Sequence, residues 1–468
     1  MATMNKLIES IYYTLPPLFQ NVPISTYGYW LFKRRYGGNY QDYLKDIIKT
    51  QFFSCSQIEQ LQRKKMIQLL KHVFKNVPFY QQWSKKTGLT IKDFRSITDF
   101  QKLPVIDKEQ IRNDPTLFCA TNYLQRKNIF IIYTSGTIGK PLKIFCDPDS
   151  RQLHYTFWTR FQMWHKVSFG MRKATFCGRI IASPKQLKPP FWRYDKFQNN
   201  YLFSSYHMSE ENLKYYYQKL LEIRPKQIVG YPSSLFILAR YMKKNNLKGI
   251  KPICIFTTAE TLLAHQRETI EDAFECKVAD QYGCTEMCVF ISQCEYGTYH
   301  VHPEYGILEV LDQNGNPVPM GVAGEAVCTG FVNKTMPLVR YRLGDIVRLE
   351  QKDCPCGRHF PVVAEILGRV DDILITPDGR PLGRLDPVFK EIEGIRETQI
   401  VQTDRQSITL NLVIDEGFTE QTKKKLLYEL RKRTGDQMKI HLNFLNSIPR
   451  EANGKFRAVI SRTNEENQ

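Results

Sequence analysis

The sequence predicts an α/β fold in two parts: a large N-terminal body built on mostly parallel sheets, and a small α+β unit at the C-terminus. Three observations predict it. Short apolar runs, NIFIIY (128–133), PKQIVGYP (225–232) and KPICIFTTAE (251–260), alternate with longer helical stretches, the order that builds a parallel sheet. After Asp371 the pattern changes to a hairpin-like ILITPDGRPL, two β-rich runs (IRETQIVQT and SITLNLVID), a charged helix near 419–433 and a strand MKIHLNFL. The length, 468 residues, allows roughly two to four domains at about 150 residues each. With 42% hydrophobic and 24% charged residues the chain is neither wholly disordered, nor collagen-like, nor a polytopic membrane protein.

Taken in order, the first element is Ser10 to Phe32, which carries no charge. Pro16, Pro17, Pro23 and Gly28 are expected to break any helix there, so a membrane span is rejected. Tyr27, Tyr29 and Trp30 precede the cluster Lys33-Arg34-Arg35. Rings beside cations suit a membrane interface, and the competing reading packs them on the protein's own body. From Ser54, the residues Ile58, Leu61, Met66, Leu69, Leu70 and Val73 recur at helical spacing and predict an amphipathic helix on the outside of a core. The organisation expected is an aromatic and basic extension over 1–55, a large domain over 56–370 and a small mobile unit over 371–468.

The strongest local signal is IIYTSGTIGKPLKIF, residues 131–145. Backbone N–H groups at Gly136 and Gly139, with Thr134, Ser135 and Thr137, can wrap a polyphosphate while Lys140 neutralises charge. The spacing is not that of a Walker A loop. On physical grounds alone such a turn is more often an ordinary loop.

YTSGTIGKP nonetheless resembles the phosphate-loop signature of the adenylate-forming superfamily: acyl-CoA synthetases, peptide-synthetase adenylation domains and luciferases. The family's other motifs follow in order. They are TTAE (257–260) on the adenine side, QYGCTE (281–286), YRLGD (341–345), the hinge motif GRVDD (368–372) and the C-terminal lysine motif PREANGKFR (449–457). The resemblance implies ATP as a reactant with Mg²⁺ as its cofactor, an acyl-adenylate intermediate and loss of pyrophosphate. It assigns Lys455, Glu286 and Thr285 to catalysis, with Glu286 holding Mg²⁺ and Lys455 bridging the carboxylate and the α-phosphate. Ala259, Glu260, Tyr282 and Gly283 fall on the adenine side, with Tyr282 stacking on the base. Asp345 would bind the ribose hydroxyls beside Arg369, and Asp371 would be the hinge. Tyr231, Pro232 and Ser233 in VGYPSS sit where relatives line the acyl pocket. YGYWLFKRRYGG (27–38), NVPFY (76–80) and the polar DDILITPDGRPLGRLDP look most like the phenylacetate–CoA ligase branch, and within it the capsule-biosynthesis (CapK-like) proteins.

Cys354-Pro-Cys356 with Cys294 and His300 would supply a closed Zn²⁺ set of Cys₃His type. The competing reading is free thiols, with His302 or Cys288 equally eligible as ligands. Similar Cys and His positions recur in the phenylacetate–CoA ligase branch. Twelve cysteines are too dilute for a disulfide scaffold, and no secretory signal peptide is evident, so a reducing cytoplasm is expected. A net charge of +19 points to an anionic neighbour. No Arg-rich tract or aromatic nucleic-acid motif accompanies it, which leaves a phosphorylated substrate or weak peripheral contact with the inner membrane face. The function expected is carboxylate activation with acyl transfer to CoA. A sugar amine or hydroxyl in capsule or exopolysaccharide synthesis, or a carrier protein, competes as acceptor. A non-catalytic adaptor is the reading from another class. The aromatic stretches 154–164 and 189–197 suit an acyl pocket or a core equally. The acid and the oligomeric state are not legible.

Overall fold

Strands β6 (Gln227–Gly230), β7 (Cys254–Thr258) and β8 (Val278–Gly283) are buried almost throughout, as strands covered on both faces must be. With β3 (Lys173–Cys177) and β5 (Asn200–Ser204) they pair in parallel, in the order β5-β3-β6-β7-β8. The computed structural model describes residues 11–134, 142–178, 181–183, 186–369, 374–377, 381–382, 388, 392, 394–450 and 456–461. Helices Glu210–Ile223, Pro232–Lys244 and Ala264–Phe274 cover the parallel strands through Leu213, Leu220, Leu235, Leu238, Ile270 and Phe274.

The same sheet extends antiparallel on both sides. β4 (Trp192–Asp195) closes one edge, and β9 (Phe290–Gln293), β10 (Tyr299–Val301), β14 (Val362–Arg369), β13 (Tyr341–Glu350), β12 (Ala323–Gly330) and β11 (Gly306–Leu311) continue the other. The result is a 12-stranded mixed sheet within the α/β class predicted, with parallel pairing concentrated in five of its strands. NIFIIY becomes β1 (Phe130–Tyr133), which pairs with β2 (Lys143–Cys146) as a separate hairpin rather than joining the main sheet.

The helix predicted from Ser54 spans Cys55–Asn76, with Ser54 and Gln57 forming a capping box and Ile58, Met66, Leu69, Leu70 and Val73 buried. The N-terminal expectation is corrected. Pro17–Tyr36 is one helix of 20 residues that runs through Pro23 and Gly28. Pro17 occupies the first turn, where no N–H is missed. Gly28 lets the helix approach the sheet, since a Cβ there would collide with the Asp195 carboxylate. Ser25 Oγ donates to Tyr194 O (3.2 Å), and Asn21 Oδ1 accepts from Tyr194 N (2.9 Å). Among the described residues no helix is long and apolar enough to cross a membrane.

The aromatic stretch 154–164 forms part of helix Pro148–Trp164, and Phe157, Phe161 and Trp164 pack into the core beside Phe256 and Phe290. At the C-terminus, β15 (Leu374–Ile375) and β16 (Pro381–Leu382) form a short hairpin. β17 (Ile395–Asp404), β18 (Ser407–Ile414), β19 (Lys439–Phe444) and β20 (Val459–Ser461) make a four-stranded sheet in the order β19-β18-β17-β20. Helix Glu420–Thr434, capped by Thr419, buries Leu426 and Leu430 against Ile400, Ile408, Leu410 and Leu412.

Candidate functional site

The carboxyl ends of parallel strands are where open α/β sheets bind ligands. Here β6, β7 and β8 end at one cleft of about 930 Å³, walled on its far side by β17, β20 and Arg450. Ser233, Ala259, Glu260, Tyr282, Gly283, Thr285 and Asp345 line it. Residues from TTAE, QYGCTE and YRLGD, separated by up to 86 positions, therefore share one surface.

β7 ends in a turn with Ala259 at φ 71°, which throws the Glu260 side chain back toward helix Pro232–Lys244. Glu260 Oε1 accepts from Ser233 Oγ (3.1 Å) and Oε2 from Ser233 N (3.1 Å). Its Oε1 also accepts from Phe456 N (2.8 Å), in the C-terminal lysine motif. Burial raises the Glu260 pKa, and the Phe456 and Ser233 donors oppose that rise. Thr258 Oγ1 donates to Gln281 Oε1 (2.8 Å), fixing the end of β7 to β8.

The Tyr282 hydroxyl donates to Asp345 Oδ2. Burial first, and the Asp345 charge second, hold the tyrosine well above its usual pKa, so it stays a neutral donor. The pair offers an aromatic ring beside a carboxylate, a surface suited to a base and a diol. Asp345 stands opposite Arg369 in the β13–β14 ladder. The Arg369 side chain lies outside the described residues.

Glu286 is buried behind Thr285 and is not among the residues lining the cleft. Its Oε1 accepts from Tyr341 Oη (3.0 Å), and Oε2 makes no hydrogen bond to a described residue. One tied and one unspent carboxylate oxygen fit a cation whose remaining ligands come from phosphates, the usual Mg²⁺ arrangement. Thr134 is buried just after β1, where Leu142 N donates to its Oγ1 (3.0 Å). Ser135, Gly136, Thr137, Gly139, Lys140, Asp371 and Lys455 lie outside the described residues. Tyr231 and Pro232 are buried at the end of β6, and of the VGYPSS candidates Ser233 reaches the cleft. Its described lining includes no residue from 154–164 or 189–197.

Sequence reading missed Arg240, Arg396 and Arg450, which line the cleft. Arg450 lies inside PREANGKFR and was within reach. Arg240 and Arg396 carry no local signal. Arg240 donates to Ile395 O (2.9 Å) and Asp415 Oδ2 (3.1 Å), and Arg396 to Glu210 Oε2 (3.0 Å). These contacts join the body to the four-stranded unit.

A second cluster stands apart from the cleft. Cys294, His300, Cys354 and Cys356 place their ligand atoms within 4.8 Å of one another. Cys294 Sγ lies 3.6 Å from Cys354 Sγ, and Cys356 Sγ lies 3.4 Å from His300 Nε2. Tetrahedral zinc with Zn–S near 2.3 Å sets neighbouring ligands about 3.8 Å apart, so the set fits. His300 Nδ1 donates to Phe360 O (3.3 Å), which leaves Nε2 free to ligate. Contacts from Cys294, and then His300, hold Cys356 below the usual thiol range. The alternatives His302 and Cys288 are engaged elsewhere, His302 with Arg160 and Ser292, Cys288 with Glu286 O.

Comparison with known proteins adds the following. A family model, the CapK C-terminal domain, matches residues 374–462. Protein CapK of Staphylococcus aureus is 32% identical over 472 residues, covering 97% of this chain and 99% of that protein. The phenylacetate–coenzyme A ligase of Thermus thermophilus is 26% identical, covering 68% of this chain and 72% of its own. Among solved structures, 2-hydroxyisobutyryl-CoA ligase in the postadenylation state, with an acyl-AMP, superposes with a TM-score of 0.73 at 19% identity, covering 89% of this chain and 92% of that one. The same ligase in its thioesterification state, with acyl-AMP and CoA, gives 0.55 at 20% identity, covering 88% and 91%. The fold is shared with these ligases.

Proposed function

This chain belongs to the CapK family, and from that premise we propose that it is an AMP-forming ligase that activates a carboxylic acid with ATP and passes the acyl group to CoA. The observation that carries the reading is the cleft. It joins the Ala259–Glu260 turn, the Tyr282–Asp345 pair and Thr285 at the ends of parallel strands, and the C-terminal lysine motif adjoins it through Phe456.

In this reading Tyr282 stacks on adenine and Asp345 receives the ribose hydroxyls. The segment 135–141 between Thr134 and Leu142 is assigned the phosphates. Mg²⁺ held by Glu286 would spread the charge of the polyphosphate. Activation requires a carboxylate to meet an anionic α-phosphate, and a cation between them lowers that repulsion. Lys455, next to Phe456, is assigned to that place. Little covalent chemistry is asked of the protein, whose work is positioning and charge stabilisation. The higher TM-score against the postadenylation state than against the thioesterification state supports reading this arrangement as the one that follows adenylation. The Cys294–His300–Cys354–Cys356 set is assigned a structural Zn²⁺. Eleven of the cysteines, those three among them, form no disulfide, which supports placing the chain in a reducing cytoplasm.

ATP–pyrophosphate exchange over a panel of carboxylic acids tests the proposal. One or more acids should support exchange. Lys455→Ala should abolish it while sparing acyl transfer from a supplied acyl-adenylate to CoA. Exchange with no acid from folded protein would favour a non-catalytic role. Equal loss of both half-reactions would remove Lys455 from its assigned place.

A further inference from the structure

Helix Pro17–Tyr36 turns one face to the sheet and the other to solvent. The inner face buries Gln20, Ile24, Gly28 and Leu31. At 3.6 residues per turn, Leu18, Val22 and Tyr29 form a line on the outer face, flanked by Phe19 and Trp30. Their exposures are 80% for Leu18, 64% for Val22, 62% for Phe19, 50% for Trp30 and 40% for Tyr29. From Ile11 to Phe32 this face carries no charge at all. Single exposed apolar residues are ordinary, but a continuous row of them marks a contact surface.

The row is also extended by its neighbours. Phe197, half exposed, packs on Tyr29 with ring centroids 4.8 Å apart, and exposed Phe169 lies 6.1 Å from Phe32. Cations border it. Lys33 is exposed with its Nζ 5.0 Å from the Tyr29 ring, and exposed Lys196 precedes Phe197. The order along the helix is aliphatic, then aromatic, then basic.

We propose that this face docks on an anionic phospholipid bilayer, lying in the interface rather than crossing it. Aliphatic side chains enter the acyl boundary, the rings of Tyr29 and Trp30 sit at headgroup level, and Lys33 and Lys196 meet lipid phosphates. Charge complementarity selects this occupant. No Asp or Glu lies between Ser10 and Gln41, so a second copy docking by the same helix face would bring no acid from that helix to these cations. The inner face is pinned to β4, so the outer face is presented ready-made and needs no folding on contact.

Co-sedimentation of the full chain with vesicles tests this. Wild type should pellet with phosphatidylcholine vesicles containing one-third phosphatidylglycerol, and at least fivefold less with phosphatidylcholine alone. Two variants are read beside it, Leu18→Ser/Phe19→Ser/Val22→Ser and Lys33→Glu/Lys196→Glu. Each changes only exposed side chains, so melting temperature should match wild type. Each should lower the bound fraction, the charge reversal by at least about fivefold per cation at low salt. Wild type that stays in the supernatant, or a serine variant that pellets as wild type does, overturns the proposal. So does a wild-type dimer that the serine variant converts to monomer without vesicle binding, which would make the face a self-interface.

Discussion

Arg160 sits in the middle of HYTFWTRFQMW and reads, in sequence, as one polar residue in an aromatic helix. Folded, it is 1% exposed and donates to Glu304 Oε1 (2.6 Å), Glu304 Oε2 (3.1 Å), Ile47 O (2.7 Å) and His302 Nδ1 (2.7 Å). Burial pushes the Glu304 pKa up, and the charge and hydrogen bonds of Arg160 more than offset that, so it ends below its ordinary 4.5. A depressed carboxylate contributes stability that is present above its unfolded pKa and lost as pH falls through the folded value. Glu304→Gln should therefore cost about 3 kcal/mol near pH 7, since it leaves a buried cation without its counter-charge. The gap from wild type should begin to narrow below about pH 4.5 and close as pH falls through the lower folded value. Denaturant unfolding at several pH values checks this, and a gap that stays constant down to pH 3 would contradict the assignment. Nothing local could have revealed the pair, because its members lie 144 positions apart. Tyr282, Asp345 and Ala259 were legible for the opposite reason: each sits inside a short contiguous motif, at the end of β8, within β13 and in the turn after β7, that resembles a known signature.

The four metal-site candidates come from two elements that sequence leaves far apart. Cys294 begins the turn between β9 and β10, closed by Gly297 N donating to Cys294 O (2.8 Å), and His300 lies on β10. Cys354 and Cys356 precede β14, and β10 pairs with β14 through Tyr299–Val363 and His300–Val362. That ladder brings the two turns together, so the Cys-x-Cys spacing mattered less than the register. Protein purified without added zinc should contain about one equivalent of Zn²⁺. Cys356→Ser should lose the metal and melt at a lower temperature. Metal-free wild type with the same melting temperature as zinc-loaded protein would return the thiols to the core. At the same scale, helix Pro17–Tyr36 shows why breaker residues mislead. Pro23 and Gly28 weaken an isolated helix, but packing on β4 rewards this one and requires the missing Cβ at Gly28.

At the scale of the whole molecule, the body and the four-stranded unit are held in one orientation by partly exposed polar contacts: Arg240 with Asp415 and Ile395 O, Arg396 with Glu210, and Phe456 N with Glu260. Ion pairs of this kind contribute at most about 1 kcal/mol each, weak enough to be released during a catalytic cycle. Arg240→Ala/Arg396→Ala should slow ATP–pyrophosphate exchange about fivefold, with acyl transfer from a supplied adenylate unchanged or faster. Equal slowing of both half-reactions would show that the contacts support the fold rather than one orientation. The amino-acid sequence by itself determined the α/β class, two strands of the parallel sheet (β6 and β7), the C-terminal β-runs and the order of the cleft motifs. The class and the strands follow from local periodicity, which any folded form must satisfy, whereas the cleft motifs were legible through their resemblance to known signatures. Only the tertiary structure decided that β1 leaves the main sheet, which cysteines converge, that Arg160 and Glu304 are paired, and which face of the N-terminal helix is bare. Each of those depends on contacts between segments distant in the chain, whose energies are set by register and packing that no local pattern encodes.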